Sequence, residues 1–123
     1  MSKIEKFEDL QCWQEARKWT KSIYKALENC RDYWFRDQIQ RASVSVMNNI
    51  AEGFSRFTTK DTIQFFNIAI ASLSEVRSMI YLAYDLEYIS KETYKQLLEH
   101  NQTIQNITLW FLKYLHTYKK SST

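Results

Sequence analysis

Polar side chains recur every three or four residues between positions 38 and 56, where the sequence reads QIQRASVSVMNNIAEGFSR. At about 100° per residue, these steps place them within about 60° of the first one, on one side of an α-helix. Such groups bond either to water on an exposed face or to neighbouring helices in a packed seam. We call this set the polar row, and it consists of Gln38, Arg41, Ser45, Asn49, Glu52 and Arg56.

Two interpretations of the polar row remain open at this level. Both arginines have a carboxylate four residues earlier, and on an exposed face each such pair would contribute only about 0.2–0.5 kcal/mol. Alternatively, Arg41 and Glu52 reach neighbouring helices, and the expected partner of Arg41 is Glu75 on the following helix. The amides of the row would then complete a network that fixes how the helices pack.

A second pattern is basic and lies on the first predicted helix. Four-residue steps separate Arg17, Lys21 and Lys25, and Lys18 lies beside them, opposite the apolar face. Cations in such a row contact phosphates in nucleic-acid-binding proteins, although an ordinary solvated face has the same appearance. The last predicted helix adds a basic end, where the helix dipole also favours positive charge. Its cations are Lys113, Lys119 and Lys120.

The sequence contains no motif that predicts catalysis. A di-iron bundle needs paired Glu-x-x-His elements, and none occurs. His100 and His116 stand about 24 Å apart on one predicted helix, which is too far to share a metal ion. Phosphate loops, Cys-x-x-Cys pairs and Gly-x-Ser-x-Gly elbows are also missing. We therefore predict a protein that is not an enzyme and that uses no cofactor or metal.

The elements that position these residues are expected to be helical throughout. A chain of 123 residues with no proline, one glycine and 45% hydrophobic residues is predicted to form one all-α domain over 1–123. Thr58 or Thr59 is expected to cap the third helix and Ser90 the fourth. Short connections between helices of similar length predict an antiparallel up-down-up-down four-helix bundle. The predicted helices cover about 8–27, 33–57, 59–88 and 91–118.

The single glycine, Gly53, falls inside the second predicted helix. Glycine in a helix costs about 1 kcal/mol relative to alanine, so a neighbouring helix is expected to come close there. We predict that this neighbour is the third helix and that its contacting side chains are small. The candidates are Ala69, Ala71 and Ser72.

Apolar surface exceeds what one small core would bury. On the second helix the apolar residues span an arc wider than the roughly 100° stripe that one core contact needs. Aromatic residues make up 15% of the chain, and excess aromatic surface is a feature of interfaces. We therefore predict self-association. The aromatic residues that are hard to fit into one core are Trp19, Trp34, Phe35, Phe57 and Trp110.

Location is predicted from charge and cysteine spacing. The start of the chain, MSKIEKFEDL, is too charged for a secretory signal, and no apolar run approaches the roughly 18 residues of a membrane span. Cys12 and Cys30 would stand about 27 Å apart along one helix, so they are not expected to form a disulfide with each other. The predicted location is the cytoplasm, without membrane attachment.

Several motifs together resemble a known family. Phe7-Glu8-Asp9-Leu10 precedes Trp13 and Ala16, and Asn49-Ile50-Ala51-Glu52-Gly53 lies within the polar row, before Phe65, Ala69, Ser72 and Glu75. With these motifs the chain resembles the four-helix-bundle proteins named for the intervening sequences of bacterial 23S ribosomal RNA genes. That family includes the accessory variability proteins of diversity-generating retroelements.

The resemblance implies an antiparallel bundle that assembles into a homopentameric ring and contacts nucleic acid through basic surface. Retroelement members also imply a reverse transcriptase as a partner. The family assigns no catalytic role to the residues that carry its motif, and together with the resemblance the polar row is therefore predicted to be a structural seam that positions helices or subunits. The residues of this seam are Gln38, Arg41, Ser45, Asn49, Glu52, Gly53, Arg56 and Glu75. The predicted function is therefore binding of RNA or DNA by a non-enzymatic oligomer. The alternative is a scaffold that binds another protein without nucleic acid.

Overall fold

The computed structural model describes residues 4–117 of the chain. Within these residues the secondary structure consists of helices without any strand, so the predicted all-α class is confirmed. A short 3-10 turn, Phe7–Asp9, precedes four α-helices. The helices are α1, Gln11–Ala26; α2, Tyr33–Phe54; α3, Thr59–Asp85; and α4, Lys91–Thr117.

Side-chain caps start three of the helices. The Asp32 carboxylate accepts a hydrogen bond from the backbone N–H of Phe35 at 3.2 Å, and this bond starts α2. The hydroxyls of Thr58 and Ser90 accept in the same way at the starts of α3 and α4. These bonds satisfy N–H groups that have no partner within the helix. The predicted caps at Thr58 and Ser90 are confirmed.

Three helix ends differ from the predicted ones by about one turn. Leu10 is extended, with φ −75° and ψ 125°, so α1 begins after it rather than at Glu8. Helix α2 ends at Phe54 because the cap residue Thr58 must itself be extended, with ψ 150°. Helix α3 ends before Glu87, whose φ of 60° is left-handed and incompatible with a continuing helix.

The helices pack in a closed cycle. Each helix packs against its neighbours along the chain and α4 closes on α1, whereas, within residues 4–117, the backbones of the diagonal pairs α1–α3 and α2–α4 do not come as close. Trp19 and Phe66 have the largest of the fully buried side chains. Burial of each large apolar side chain stabilises the fold by about 1.5–3 kcal/mol. The cycle therefore surrounds one core to which every helix contributes.

Two polar side chains bridge helices inside this core. The indole Nε1 of Trp19 donates to the carbonyl of Leu97 at 3.2 Å and joins α1 to α4. The amide of Asn101, which is fully buried, donates to the carbonyl of Leu73 at 2.9 Å and joins α4 to α3. Its other polar atom, Oδ1, has no hydrogen-bond partner among the described residues. Buried polar groups without partners cost free energy, so this side chain is only half satisfied.

The prediction that the chain carries more aromatic surface than one core can bury is confirmed. Trp19 and Phe35 are buried. Trp34 is 72% exposed and Trp110 is 68% exposed, and Phe57 is exposed as well. The indole of Trp110 stacks on the ring of Tyr114 on the outside of α4. Part of the aromatic surface is thus available for contacts beyond this chain.

Gly53 lies at the closest approach of α2 to α3. A Cβ atom at this position would stand 2.8 Å from Cδ1 of Phe66 and 2.9 Å from Cβ of Phe65. The predicted close approach of α3 is confirmed, but the prediction of small neighbours is wrong. Two phenylalanines of α3 are the nearest side chains because the missing side chain leaves room for an aromatic ring.

Replacing Gly53 with alanine is expected to lower the free energy of unfolding by about 1–3 kcal/mol. The gain in helix propensity, about 1 kcal/mol, is smaller than the cost of displacing a fully buried ring and a neighbouring Cβ. Urea denaturation measures the difference. The control is Asn48→Ala on the exposed side of α2, which should change stability by less than about 0.5 kcal/mol. Equal effects of the two substitutions would contradict the close approach.

Candidate nucleic-acid interface

Helix α1 presents its basic residues to solvent. Arg17, Lys18, Lys21 and Lys25 are all exposed, and the helix buries its opposite side against the rest of the bundle. The buried side contains Cys12, Ala16, Trp19, Thr20 and Ile23. The helical period therefore separates the cations from the core as the sequence predicts.

A groove runs between α1 and α2 beside these cations. The hydroxyl of Thr20 donates to the carbonyl of Ser43 at 3.1 Å and holds the two helices together below the groove. The groove has a volume of about 430 Å³. We call it the α1–α2 groove, and its lining residues are Lys21, Tyr24, Lys25, Glu28, Arg36 and Gln40.

A second groove continues along the same side of α1. It has a volume of about 370 Å³ and shares Lys21 with the α1–α2 groove. Its other lining residues are Trp13, Gln14, Arg17 and Lys18. Because the two grooves meet at Lys21, their cations form one surface. We call this surface the basic face, and its cations are Arg17, Lys18, Lys21, Lys25 and Arg36.

Sequence analysis missed Arg36, which enters the basic face from α2. The side chain lies on the first turn of α2, after a short connection from α1. Two consecutive helices joined in this way must be neighbours, and that signal was present in the sequence. The side of α2 that faces α1 depends, however, on how the pair packs. Local sequence patterns contain no direct information on that packing.

The cations of the basic face differ in whether a carboxylate neutralises them. Lys18 lies 3.3 Å from the carboxylate of Glu15, and Arg36 lies 3.3 Å from that of Asp37. Arg17, Lys21 and Lys25 form no ion pair with any residue that the structure describes. These three positive charges remain available to an anionic partner, which would not have to displace an internal carboxylate.

Glu15 connects the basic face to α4. Its carboxylate lies 2.9 Å from Nε2 of His100, and this hydrogen bond, followed by the contact with Lys18, holds the pKa of Glu15 below its usual range. A lowered carboxyl pKa stabilises the fold above the unfolded-state pKa of about 4.3, and the contribution is lost as the pH falls through the folded-state pKa.

We expect Glu15→Gln to lower the free energy of unfolding at pH 6 and to have a smaller effect at pH 3. Below the unfolded-state pKa of about 4.3, the unfolded chain takes up a proton at this carboxyl before the folded protein does, so the wild type loses part of its advantage between the two pH values. Denaturation curves of both proteins at the two pH values measure the change. Glu99→Gln, on an exposed position of α4, is the control that should show no such dependence. A pH-independent difference for Glu15→Gln would contradict the assignment.

The polar row forms mostly local bonds. The amide of Asn49 donates to the carbonyl of Ser45 at 2.8 Å, within α2. Glu52 and Arg56 form the ion pair four residues apart that the first interpretation predicted. One bond crosses to α3, where the hydroxyls of Ser45 and Ser72 lie 2.9 Å apart. The row is therefore a partly exposed face that is joined to α3 by the bond between Ser45 and Ser72.

The ion pair expected between Arg41 and Glu75 is not formed in the structure. Both side chains are exposed, and neither has an ion-pair partner within residues 4–117. Asp37, the local alternative for Arg41, pairs with Arg36. Of the charged members of the row, Arg41 and Glu52 are exposed, whereas the guanidinium of Arg56 lies over the ring of Phe65 on α3, 4.5 Å from its centroid. The positive charge of Arg41 on α2 and the negative charge of Glu75 on α3 are thus both exposed and without an ion-pair partner among the described residues.

The remaining predicted cations lie apart from the basic face. Lys113 is exposed near the end of α4 and does not line either groove. Lys119 and Lys120 lie outside the described residues. The structure therefore brings together the four cations of α1 with Arg36 and does not bring Lys113 to them.

The described residues provide neither a cluster of metal ligands nor a reactive thiol at Cys12. Residues 4–117 contain no group of three or more histidine, cysteine or acidic side chains placed to hold a metal ion. Burial raises the pKa of the Cys12 thiol to about 11, so the thiol stays protonated and is a poor nucleophile. No described helix combines the length and apolar character needed to cross a membrane.

Comparison with known proteins identifies the fold and the family of the chain. The structure is similar to the crystal structure of a protein of unknown function from the S23 ribosomal protein family of Bacteroides thetaiotaomicron. The two are 24% identical, with a TM-score of 0.78 over 83% of this chain and 98% of the other, which shows a shared fold. No curated protein matches the chain. Residues 8–109 match the family of 23S rRNA-intervening sequence proteins, and the chain belongs to that family.

Proposed function

We propose that this protein is a non-enzymatic, self-associating helical bundle that binds RNA or DNA through the basic face. The observation that carries the proposal is the row of three unpaired cations along α1, which lines two adjoining grooves. Backbone phosphates bind such cations independently of sequence, and the release of counterions supplies the affinity. A cytoplasmic location is part of the proposal, and the two free cysteines are consistent with a reducing compartment.

We propose an antiparallel up-down-up-down order for the bundle. Contacts between α2 and α3 support it, because Gly53 approaches Phe66 whereas Ser45, earlier on α2, bonds to Ser72, later on α3. The contacts between α4 and α1 run in the same opposed sense. In this order the beginning of α2 and the end of α1 lie at one end of the bundle, where the α1–α2 groove opens.

Binding of nucleic acid by the purified protein tests the proposal. We expect retardation of labelled RNA or DNA at low salt, with log affinity falling linearly as log salt concentration rises. The slope should correspond to about three phosphate contacts for each subunit that the strand engages, or about −2 on a single strand. A scaffold that binds only protein should retard neither nucleic acid even at low salt, and that result would exclude the proposal.

An exposed surface shared by α2 and α3 supports self-association, and we call it the outer face of α2 and α3. Steps of four, three and seven residues lead from Ile68 through Ser72 to Glu75 and Leu82 along one side of α3, and Ile68, Glu75 and Leu82 are exposed. On α2, Trp34 and Arg41 lie seven residues apart and are exposed as well. An apolar surface with unpaired charges of both signs is complementary to a second copy of itself. We therefore propose that copies of the chain meet through this face.

The ring size and further partners belong to the same proposal. A homopentamer and a reverse-transcriptase partner are implied by the family resemblance described above. A closed ring would repeat the basic face around its axis, so that several weak phosphate contacts would add along one strand. Native mass measurement determines the subunit number. Co-purification with a reverse transcriptase encoded beside the gene tests the second partner.

A charge exchange tests the outer face of α2 and α3. Arg41→Glu and Glu75→Arg should each weaken assembly, because each places two like charges across the interface. Combining them restores opposite charges and should restore the native mass. The control is Lys60→Glu, which has the same charge change as Arg41→Glu at an exposed residue of α3. An unchanged mass for both single variants would exclude this face as the interface.

A further inference from the structure

We infer that the basic face binds unpaired strands in preference to duplexes, with bases stacking on Tyr24 and Tyr33; this inference rests on the proposed function. Both rings lie among the cations. Tyr24 lines the α1–α2 groove with Lys21 and Lys25. The guanidinium of Arg36 lies over the ring of Tyr33, 4.9 Å from its centroid. Tyr24 therefore lies with two lysines in the groove, and Tyr33 lies against an arginine that lines it.

The fold makes little use of these two rings. Tyr24 is 43% exposed and Tyr33 is 59% exposed. Neither ring stacks on another aromatic side chain, and neither hydroxyl forms a hydrogen bond, within the part of the chain that the structure describes. Tyr84 and Tyr94 show the contrast, because their half-buried rings stack on each other at 4.3 Å. Part of the Tyr24 ring is thus accessible to a ligand, and so is the surface of the Tyr33 ring that the guanidinium of Arg36 does not cover.

The combination of rings and cations distinguishes unpaired strands from duplexes. Every base has a flat face that can stack on an aromatic ring, and unpaired bases are free to do so. Bases inside a duplex already stack on one another, so a duplex would offer this surface only its phosphates. Four-residue steps along α1 place successive cations about 6 Å apart, beside the rings. A strand following the cations would therefore bring its bases to Tyr24 and Tyr33.

The contact between Arg36 and Tyr33 orients one of the two surfaces on which a base could stack. A guanidinium plane lying over an aromatic ring is held flat and can itself stack on a base. Arg36 is also held by Asp37, which limits its rotation. A similar arrangement occurs further along the basic face, where the guanidinium of Arg17 lies 5.6 Å from the ring of Trp13. Glu28 is the one carboxylate among the residues lining the α1–α2 groove.

The test compares one strand in two forms. A labelled oligonucleotide of about 12 nucleotides is titrated alone and as a duplex with its complement, at the same salt concentration. We expect the unpaired form to bind at least about 10-fold more tightly. The double variant Tyr24→Leu with Tyr33→Leu should lose about 10- to 100-fold in affinity for the unpaired strand. It should keep its duplex affinity and its salt slope.

Matched variants and mass measurement separate the alternatives. Tyr24→Phe with Tyr33→Phe keeps the stacking faces and should bind as the wild type does. Equal affinity for both forms, or a leucine variant that binds the unpaired strand normally, would overturn the inference while leaving the proposed function intact. A leucine variant with altered native mass would also overturn it, because the rings would then belong to a subunit interface. Failure of the wild type to bind either form would instead overturn the proposed function.

Discussion

Exchanging Arg17, Lys21 and Lys25 for glutamine is expected to weaken binding of an unpaired strand about 50-fold at about 0.15 M salt. With a salt slope of about −0.7 per phosphate, each contact is worth about four-fold in affinity at this concentration relative to roughly 1 M. Three contacts multiply to the stated loss. The slope itself should fall by about two, and the affinities of wild type and variant should converge near 1 M salt.

The matched control removes the same amount of charge elsewhere. Lys60, Lys91 and Lys95 are exposed, and none of them lines either groove of the basic face. Their exchange for glutamine should change the affinity less than about three-fold, through net charge alone. If both triple variants lost affinity equally, binding would depend on overall charge and the basic face would not be the site. Unfolding curves check that all variants are folded.

Replacing Trp19 with alanine is expected to have the largest effect on stability, about 3–5 kcal/mol. Trp19 is fully buried at the junction of α1 and α4, and its indole bonds to the carbonyl of Leu97. Alanine would leave a cavity the size of the indole and would remove that cross-helix bond. Since domains of this size are stable by about 5–15 kcal/mol, a large part of the total would be lost. Urea denaturation measures the change.

The substitution Trp19→Phe separates the contribution of packing from that of the hydrogen bond. Trp19→Phe keeps most of the apolar volume but removes the Nε1 donor, so we expect a loss of about 1–2 kcal/mol. Trp34→Ala, on an exposed indole, should leave the unfolding of the isolated chain nearly unchanged. Similar losses for the alanine variants of Trp19 and Trp34 would contradict the burial that the structure assigns to Trp19.

Helices and their starting caps were predictable because both depend on neighbours in the sequence. Thr58 and Ser90 bond to N–H groups three residues later, a contact that no tertiary packing is needed to form. Helix ends were less accurate because they depend on how the chain turns. The left-handed Glu87 is an example, because most residues that adopt this conformation are glycine or asparagine, and glutamate provides no such signal.

The candidate site was predictable only where it lies on one helix. The α1 cations follow from helical period, whereas Arg36 joins them through the packing of α2 on α1. The ion pair predicted between Arg41 and Glu75 required two long side chains to meet across helices, and exposed pairs gain too little to be formed reliably. Gly53 predicted a close approach correctly, but the identity of the approaching ring depended on the rotation of α3.

The buried amide of Asn101 has a consequence for helix alignment. The core-facing residues of α4 repeat in a near-heptad, so sliding α4 by one turn, about 5.4 Å, would still offer apolar side chains to the core. Such a slide would break the hydrogen bond between the amide of Asn101 and the carbonyl of Leu73. In the observed alignment only the oxygen of that amide is unpaired. A buried amide that bonds to one carbonyl of α3 thus adds a polar requirement to an apolar face that would otherwise tolerate more than one alignment.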